Sequence, residues 1–171
     1  LVAEGAGAIT TSCGFLGPLQ RPLARALGVP VAASPLSQVA WVNALLPEGR
    51  RAGILTIAAS RLTRAHLAAA GVPDRTPIGS TEGGTEFTRA ILEDRTELDV
   101  AAARVDHVAA ARALADAHPD LGALVLECTN MAPYAADISA ATGLPVHSIV
   151  TLVHWLRSGI VPPVFPPPEP V

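Results

Sequence analysis

Cys13 and Cys128 are the residues of this chain best suited to acid–base chemistry. Each ends an apolar run and precedes a helical pattern. At such a junction, free backbone N–H groups and the positive end of a helix dipole favour a thiolate over its ordinary pKa of about 8.5. The same N–H groups can hold a carboxylate. The surroundings of the two cysteines repeat. Gly28-Val29-Pro30-Val31 follows Cys13 at the spacing at which Gly143-Leu144-Pro145-Val146 follows Cys128, and each segment runs on into a helix carrying a tryptophan, Trp41 or Trp155. An internal repeat signals equivalent structural units. If the two half-sites face each other across a cleft, one thiolate can take a proton from carbon while the opposite thiol delivers one to the other face. That inverts a stereocentre and needs no cofactor.

The elements that must carry these cysteines alternate between strand and helix, the pattern of a parallel α/β fold. Strands are expected over 8–11, 29–33, 52–58, 76–79, 123–126 and 144–149. Helices are expected over 18–27, through Val39, Val42, Leu45 and Leu46, and over 62–70, 82–93, 134–142 and 150–157. Gly28, Gly71 and Gly143 serve as stops, and a long Ala-rich helix runs from an Asp99 cap to about His118. The segment 161–168 is too rich in proline for helix or inner strand and suits an extended arm. The expected organisation is a first lobe over 1–48, joined by the C-terminal helix 150–158, a second lobe over 49–149, and a Pro-rich tail over 159–171.

The chain has 171 residues, 50% of them hydrophobic but only 4% aromatic, so its core is built from small aliphatic side chains. All twelve of its Lys and Arg residues are arginine and the net charge is −3, a balance with no footprint for nucleic acid or a membrane surface. No run approaches the ~20 apolar residues of a membrane span. Two cysteines are too few for a secreted disulfide scaffold, so the chain reads as cytoplasmic, and a disulfide between them is disfavoured. No histidine stands at ligand spacing, so no metal site is expected.

The other candidates have plainer readings. A lone cysteine after a buried strand is more often packing than chemistry, and it is the matched repeat positions that favour chemistry here. Ser60, after the strongest strand, reads as a ligand contact or, more simply, a helix N-cap. Gly79-Ser80-Thr81-Glu82-Gly83-Gly84 lacks the lysine of a phosphate loop and reads as a loop. His107 and His118 read as solvated. His147 and His154 lie within reach of the site, but structural roles are simpler. Trp41 and Trp155 read as core or lobe-interface residues.

Ile9-Thr10-Thr11-Ser12-Cys13-Gly14-Phe15-Leu16 and Val125-Leu126-Glu127-Cys128-Thr129-Asn130-Met131 resemble the two cysteine motifs of the aspartate/glutamate racemase superfamily. That group includes aspartate, glutamate and hydantoin racemases, maleate isomerase and arylmalonate decarboxylase. The resemblance runs from about Gly7 to Trp155. It implies two pseudo-symmetric α/β lobes with parallel sheets flanked by helices and the active site between them. Cys13 and Cys128 would be the acid/base thiols of a cofactor-independent amino-acid racemase or epimerase. Ser12, Gly14, Thr129 and Asn130 would bind the substrate carboxylate or position the thiols. The substrate would be an amino acid or related small carboxylate, and the resemblance allows a homodimer. Cys13-Gly14-Phe15 departs from the Cys-Asn-Thr of many racemases, and Cys128-Thr129-Asn130 from the Cys-Thr-His of glutamate racemases, which argues against glutamate. A maleate-type cis–trans isomerase, an arylmalonate-type decarboxylase and a non-catalytic binding module remain as alternatives. Only twelve residues precede Cys13, whereas the second lobe begins near Ala52, and position 1 is not Met. The expectation is a chain truncated at its N-terminus, its first lobe lacking the opening strand and helices.

Overall fold

Two parallel sheets organise the chain, which a computed structural model describes over residues 1–166. The smaller pairs β1 (Ile9–Thr10) with β2 (Val31–Ala32). The larger contains β3 (Arg51–Thr56), β4 (Ile78–Ser80), β5 (Leu121–Leu126) and β6 (Val146–His147) in the spatial order β4-β3-β5-β6. β3 and β5 occupy the middle and are apolar on both faces, as central parallel strands must be.

Helices cover both faces of the larger sheet. On one side α2 (Gln38–Leu45) and α3 (Arg64–Ala69) lie over Ala52, Ile54, Ala123 and Val125. On the other, α5 (Val100–Ala117) and α6 (Ala135–Thr142) lie over Leu55, Leu124 and Leu126. Burying each of these Leu, Ile and Val side chains is worth about 1.5–3 kcal/mol. The architecture is α/β, with parallel sheets flanked by helices.

The remaining helices are α1 (Gln20–Leu27), α4 (Phe87–Leu92) and α7 (Ile149–Ile160). α7 is tied to α2 through the buried Gln38, whose Nε2 donates to the Ser148 carbonyl (3.0 Å) and whose Oε1 accepts from Thr151 Oγ1 (2.7 Å). Gln20 of α1 extends the β2 edge in the same way, donating to the Val31 carbonyl and accepting from the Ala33 N–H.

Several expectations are corrected. β1, β2 and β6 are only two residues long, and the helix expected over 82–93 is a 3-10 turn, Thr81–Gly83, followed by α4. Trp41 and Trp155 do meet, with ring centroids 5.7 Å apart, but they stay 44% and 57% exposed and pair α2 with α7 at the surface, outside the core. His107 is not solvated. It is fully buried, stacked on Tyr134 and edge-on to Phe87, each with a centroid distance of 4.2 Å, and its Nδ1 pairs with the Ala103 carbonyl. The alanine-rich surface of α5 brings the helix close enough to bury it. Residues 161–166 form neither helix nor strand, and the rest of the proline-rich tail lies outside the described residues.

Beside His107, the buried Asp106 accepts N–H bonds from Thr85 (2.9 Å), Glu86 (2.8 Å) and Phe87 (2.8 Å) and so holds the start of α4. Burial alone would raise its pKa. The three N–H bonds, helped by His107, outweigh burial and keep the carboxyl below the ordinary aspartate range. A lowered folded pKa gives stability that is present above the unfolded value of about 3.9 and lost as pH falls through the folded value. Asp106→Ala is therefore expected to cost about 2–4 kcal/mol near neutrality. Urea denaturation of the two proteins should show this gap at pH 7 and a narrowing gap as the pH is lowered through the folded pKa of Asp106.

Candidate functional site

The two cysteines stand at equivalent points of a structural repeat. Each caps a six-residue 3-10 segment, Gly14–Leu19 or Thr129–Tyr134, with a proline inside it, Pro18 or Pro133. Each segment continues into an eight-residue α-helix, α1 or α6, closed by a left-handed glycine, Gly28 (φ 64°) or Gly143 (φ 70°). The short strand that follows pairs in parallel with the strand before the cysteine, and in matching register. Ile9 and Thr10 face Val31 and Ala32, as Leu124 and Val125 face Val146 and His147.

Chain order brings the two points together. From β3 the chain moves to β4 on one side, then crosses back to β5 on the other, with α3 and α5 on opposite faces. The connections diverge between β3 and β5, the switch point at which open α/β sheets carry their ligand crevice, beyond the carboxyl ends of the strands. Glu127 and Cys128 follow β5 there, and Thr56 ends β3. The first cysteine loop is seated on this crevice. Thr129 Oγ1 donates to the Ser12 carbonyl at 2.6 Å. Phe15 packs against the core on both faces of the sheet and meets the His66 ring edge-on at 5.1 Å. Gly14 is buried against Glu127. A Cβ at position 14 would lie 2.5 Å from the Glu127 carbonyl oxygen and 2.7 Å from its Cγ, so only glycine permits this approach.

Both thiols are free and half-buried. The thiolate expected at Cys128 is overturned: its pKa is pushed up to about 12. Burial is the main cause and the neighbouring Glu127 charge the second, with a smaller contribution from Cys13. The N–H groups of Asn130 and Met131 favour the thiolate but do not outweigh these terms. Cys128 is therefore a thiol at neutral pH. Glu127 is itself fully buried, and burial raises its pKa. Its Oε2 accepts from Thr56 Oγ1 at 2.8 Å. The N–H groups of Ile57, Gly14 and Phe15 favour its charge, yet none meets Oε1 with hydrogen-bonding geometry, and that oxygen has no partner among the described residues.

Of the residues singled out in the sequence, Ser12, Cys13, Gly14, Cys128 and Thr129 come together here. Asn130 is exposed next to them, with its N–H toward the Cys128 sulfur. Ser60 is not a helix N-cap, since Thr63 fills that role for α3 in a reciprocal pairing with His66. Ser60 lies in a separate polar group at the ends of β3 and β4, where its hydroxyl and N–H donate to Glu82, which also accepts from Ser80 (2.9 Å). His147 is half-buried at the end of β6, its pKa lowered by burial, and His154 is exposed on α7. Among the described residues no cluster of three His, Cys, Asp or Glu is placed to hold a metal ion, and no helix is long and apolar enough to cross a membrane. Glu127, Thr56 and Phe15 were not singled out in the sequence. The available signal was a carboxylate set directly after the apolar run of β5, where an ionisable side chain is buried at a cost.

No protein-family model matches the chain. It is similar to a dimethylsulfoniopropionate lyase of Durusdinium sp. clade D, 26% identical over 172 residues and 92% of this chain. It is also similar to dimethylsulfoniopropionate lyase 5 of Emiliania huxleyi, 29% identical over 164 residues and 91% of this chain. It spans 54% and 32% of the lengths of these two relatives. Its fold matches the crystal structure of an allantoin racemase from Pseudomonas fluorescens with a TM-score of 0.61 and 23% identity, covering 88% of this chain and 60% of the racemase. The fold is racemase-like, and these similar proteins are enzymes.

If the Gly14–Glu127 contact holds the two cysteine loops together, Gly14→Ala should destabilise the protein by about 1–3 kcal/mol. Thr129→Val, which removes one hydrogen bond, should cost about 1 kcal/mol. Denaturant midpoints of the full-length protein check both values and their order.

Proposed function

We propose that the whole protein removes a proton from the carbon next to the carboxylate of a small substrate, with Cys13 as base and the Cys128 thiol as the opposing acid. The observation that carries this reading is the joining of the two cysteine loops at the crevice between β3 and β5, through the Thr129–Ser12 hydrogen bond and the Gly14–Glu127 contact. Cys128 already bears the proton that an acid must give. Deprotonated, Cys13 takes the α-hydrogen, forming S–H, and the electron pair left on carbon delocalises into the carboxylate. Cys128 then donates its proton to the opposite face and is left as the thiolate. The product is the mirror-image centre, the two sulfurs have exchanged states, and the reaction is that of an amino-acid racemase or epimerase of the aspartate/glutamate racemase type. In this reading, backbone N–H groups at the starts of the two 3-10 segments, with Ser12, Gly14, Thr129 and Asn130, would receive the carboxylate or position the thiols.

The curated relatives favour a second reading. With a leaving group on the β-carbon, the same first step ends in elimination. Cys13 takes the α-hydrogen, the electron pair forms a carbon–carbon double bond, and the β-carbon–sulfur bond of a sulfonium carboxylate breaks. Dimethylsulfoniopropionate would give acrylate and dimethyl sulfide in this way, with sulfur carrying off the bonding pair. No fresh proton needs to reach the opposite face.

Incubation of the full-length protein in deuterated water separates the two. The substrates to test are amino acids, hydantoins and dimethylsulfoniopropionate, with exchange and inversion followed by NMR and dimethyl sulfide by headspace analysis. The first reading expects α-deuterium incorporation with inversion, falling by at least about 100-fold in both Cys13→Ser and Cys128→Ser. Dimethyl sulfide release that depends on Cys13 would establish the second. Turnover unchanged by loss of Cys13 would overturn both.

A further inference from the structure

Glu127 is an ionisable side chain in a place where charge is expensive. It is fully buried directly before Cys128, and it touches all three segments that build the crevice. It extends β5 with an N–H bond to the Leu55 carbonyl (2.9 Å), reaches β3 through Thr56 Oγ1 (2.8 Å), and has Gly14 of the first cysteine loop packed against its side chain and carbonyl. Its second oxygen, Oε1, is buried without a hydrogen-bond partner, and none of the described ion pairs includes it. Cys128 stands beside it in the chain and feels its charge, and Cys128 also feels Cys13 on the loop seated over Glu127. Three backbone N–H groups, of Gly14, Phe15 and Ile57, also face it.

We infer that Glu127 is a positioning residue that assigns Cys128 the proton-donor role: its buried carboxyl group locks β3, β5 and the first cysteine loop together and opposes negative charge on the adjoining sulfur. The functional meaning of this assignment rests on the two-thiol reading above, but the coupling itself does not. A carboxylate beside the Cys128 sulfur in a poorly solvated site makes the thiolate costlier, so ionisation of the thiol depends on the charge state of Glu127. After burial, the Glu127 charge is the main cause that raises the Cys128 pKa, whereas the rise at Glu127 itself comes from burial. Because Glu127 faces away from solvent, it acts through Cys128 and need not touch substrate.

The test is the pH dependence of iodoacetamide alkylation in the full-length protein, with Cys13 and Cys128 resolved by peptide mass spectrometry. Glu127→Gln keeps the shape and the Thr56 contact but removes the charge. At a fixed mildly alkaline pH it should raise the Cys128 alkylation rate about tenfold, equivalent to one pH unit, and leave the Cys13 profile unchanged. A Cys128 profile that does not move, or equal shifts in both cysteines, would overturn the inference, because a merely structural loss exposes both thiols together. If Glu127→Gln does not fold, Glu127→Met supplies a second variant, since it removes the charge and the unpartnered buried oxygen together. The same selective rise in Cys128 alkylation is expected, and an unmoved Cys128 profile would contradict the coupling. Alkylation does not read turnover, so its failure is separable from failure of the deuterium-exchange experiment.

Discussion

Gly14 and Glu127 pack so closely that no side chain could stand between them. This contact seats a loop of the small sheet on the crevice of the large one. Together with the Thr129–Ser12 hydrogen bond, it brings the loops that carry Cys13 and Cys128 side by side. The rest of the fold makes the contact possible. The order β4-β3-β5-β6 puts the divergence of connections between β3 and β5, and Phe15 fills the gap between the cores on the two sheet faces. Gln38 and the Trp41–Trp155 pair fasten α2 to α7 at the edge. Shape and electrostatics are then linked, since the glycine that lets the loops approach also helps bury the carboxylate that opposes charge on Cys128.

The repeat was the most legible part of this arrangement. Cysteine, helix, glycine, proline and strand recur at one spacing, and the physical constraints behind them are local. A left-handed C-cap requires Gly28 and Gly143, and proline ends a helix wherever it falls after one. The long helix capped by Asp99 was legible for the same reason, its cap being fixed by side-chain bonds to the Ala101 and Ala102 N–H groups. β3 and β5 announced themselves as apolar runs flanked by turns.

Long-range consequences were not legible. A histidine midway along a helix looks solvated unless Phe87 and Tyr134 are known to close over it. Helix-start geometry favours a thiolate at Cys128, but the penalty that defeats it comes from tertiary burial and from Glu127. Ser60 looked like a cap because it follows a strand, and it turns instead toward Glu82. In each case the sequence carries the local preference and the packing carries the larger energy.

The proposed chemistry requires that the two sulfurs open onto one cleft and act on one carbon. A bifunctional thiol reagent such as dibromobimane tests this most directly, because it becomes strongly fluorescent only when both of its arms are attached. The native full-length protein should yield one fluorescent species whose proteolytic fragments link the Cys13 and Cys128 peptides, and a competing small carboxylate substrate should suppress it. Two singly modified peptides with no bridge between them, in protein shown to be folded, would contradict a shared cleft.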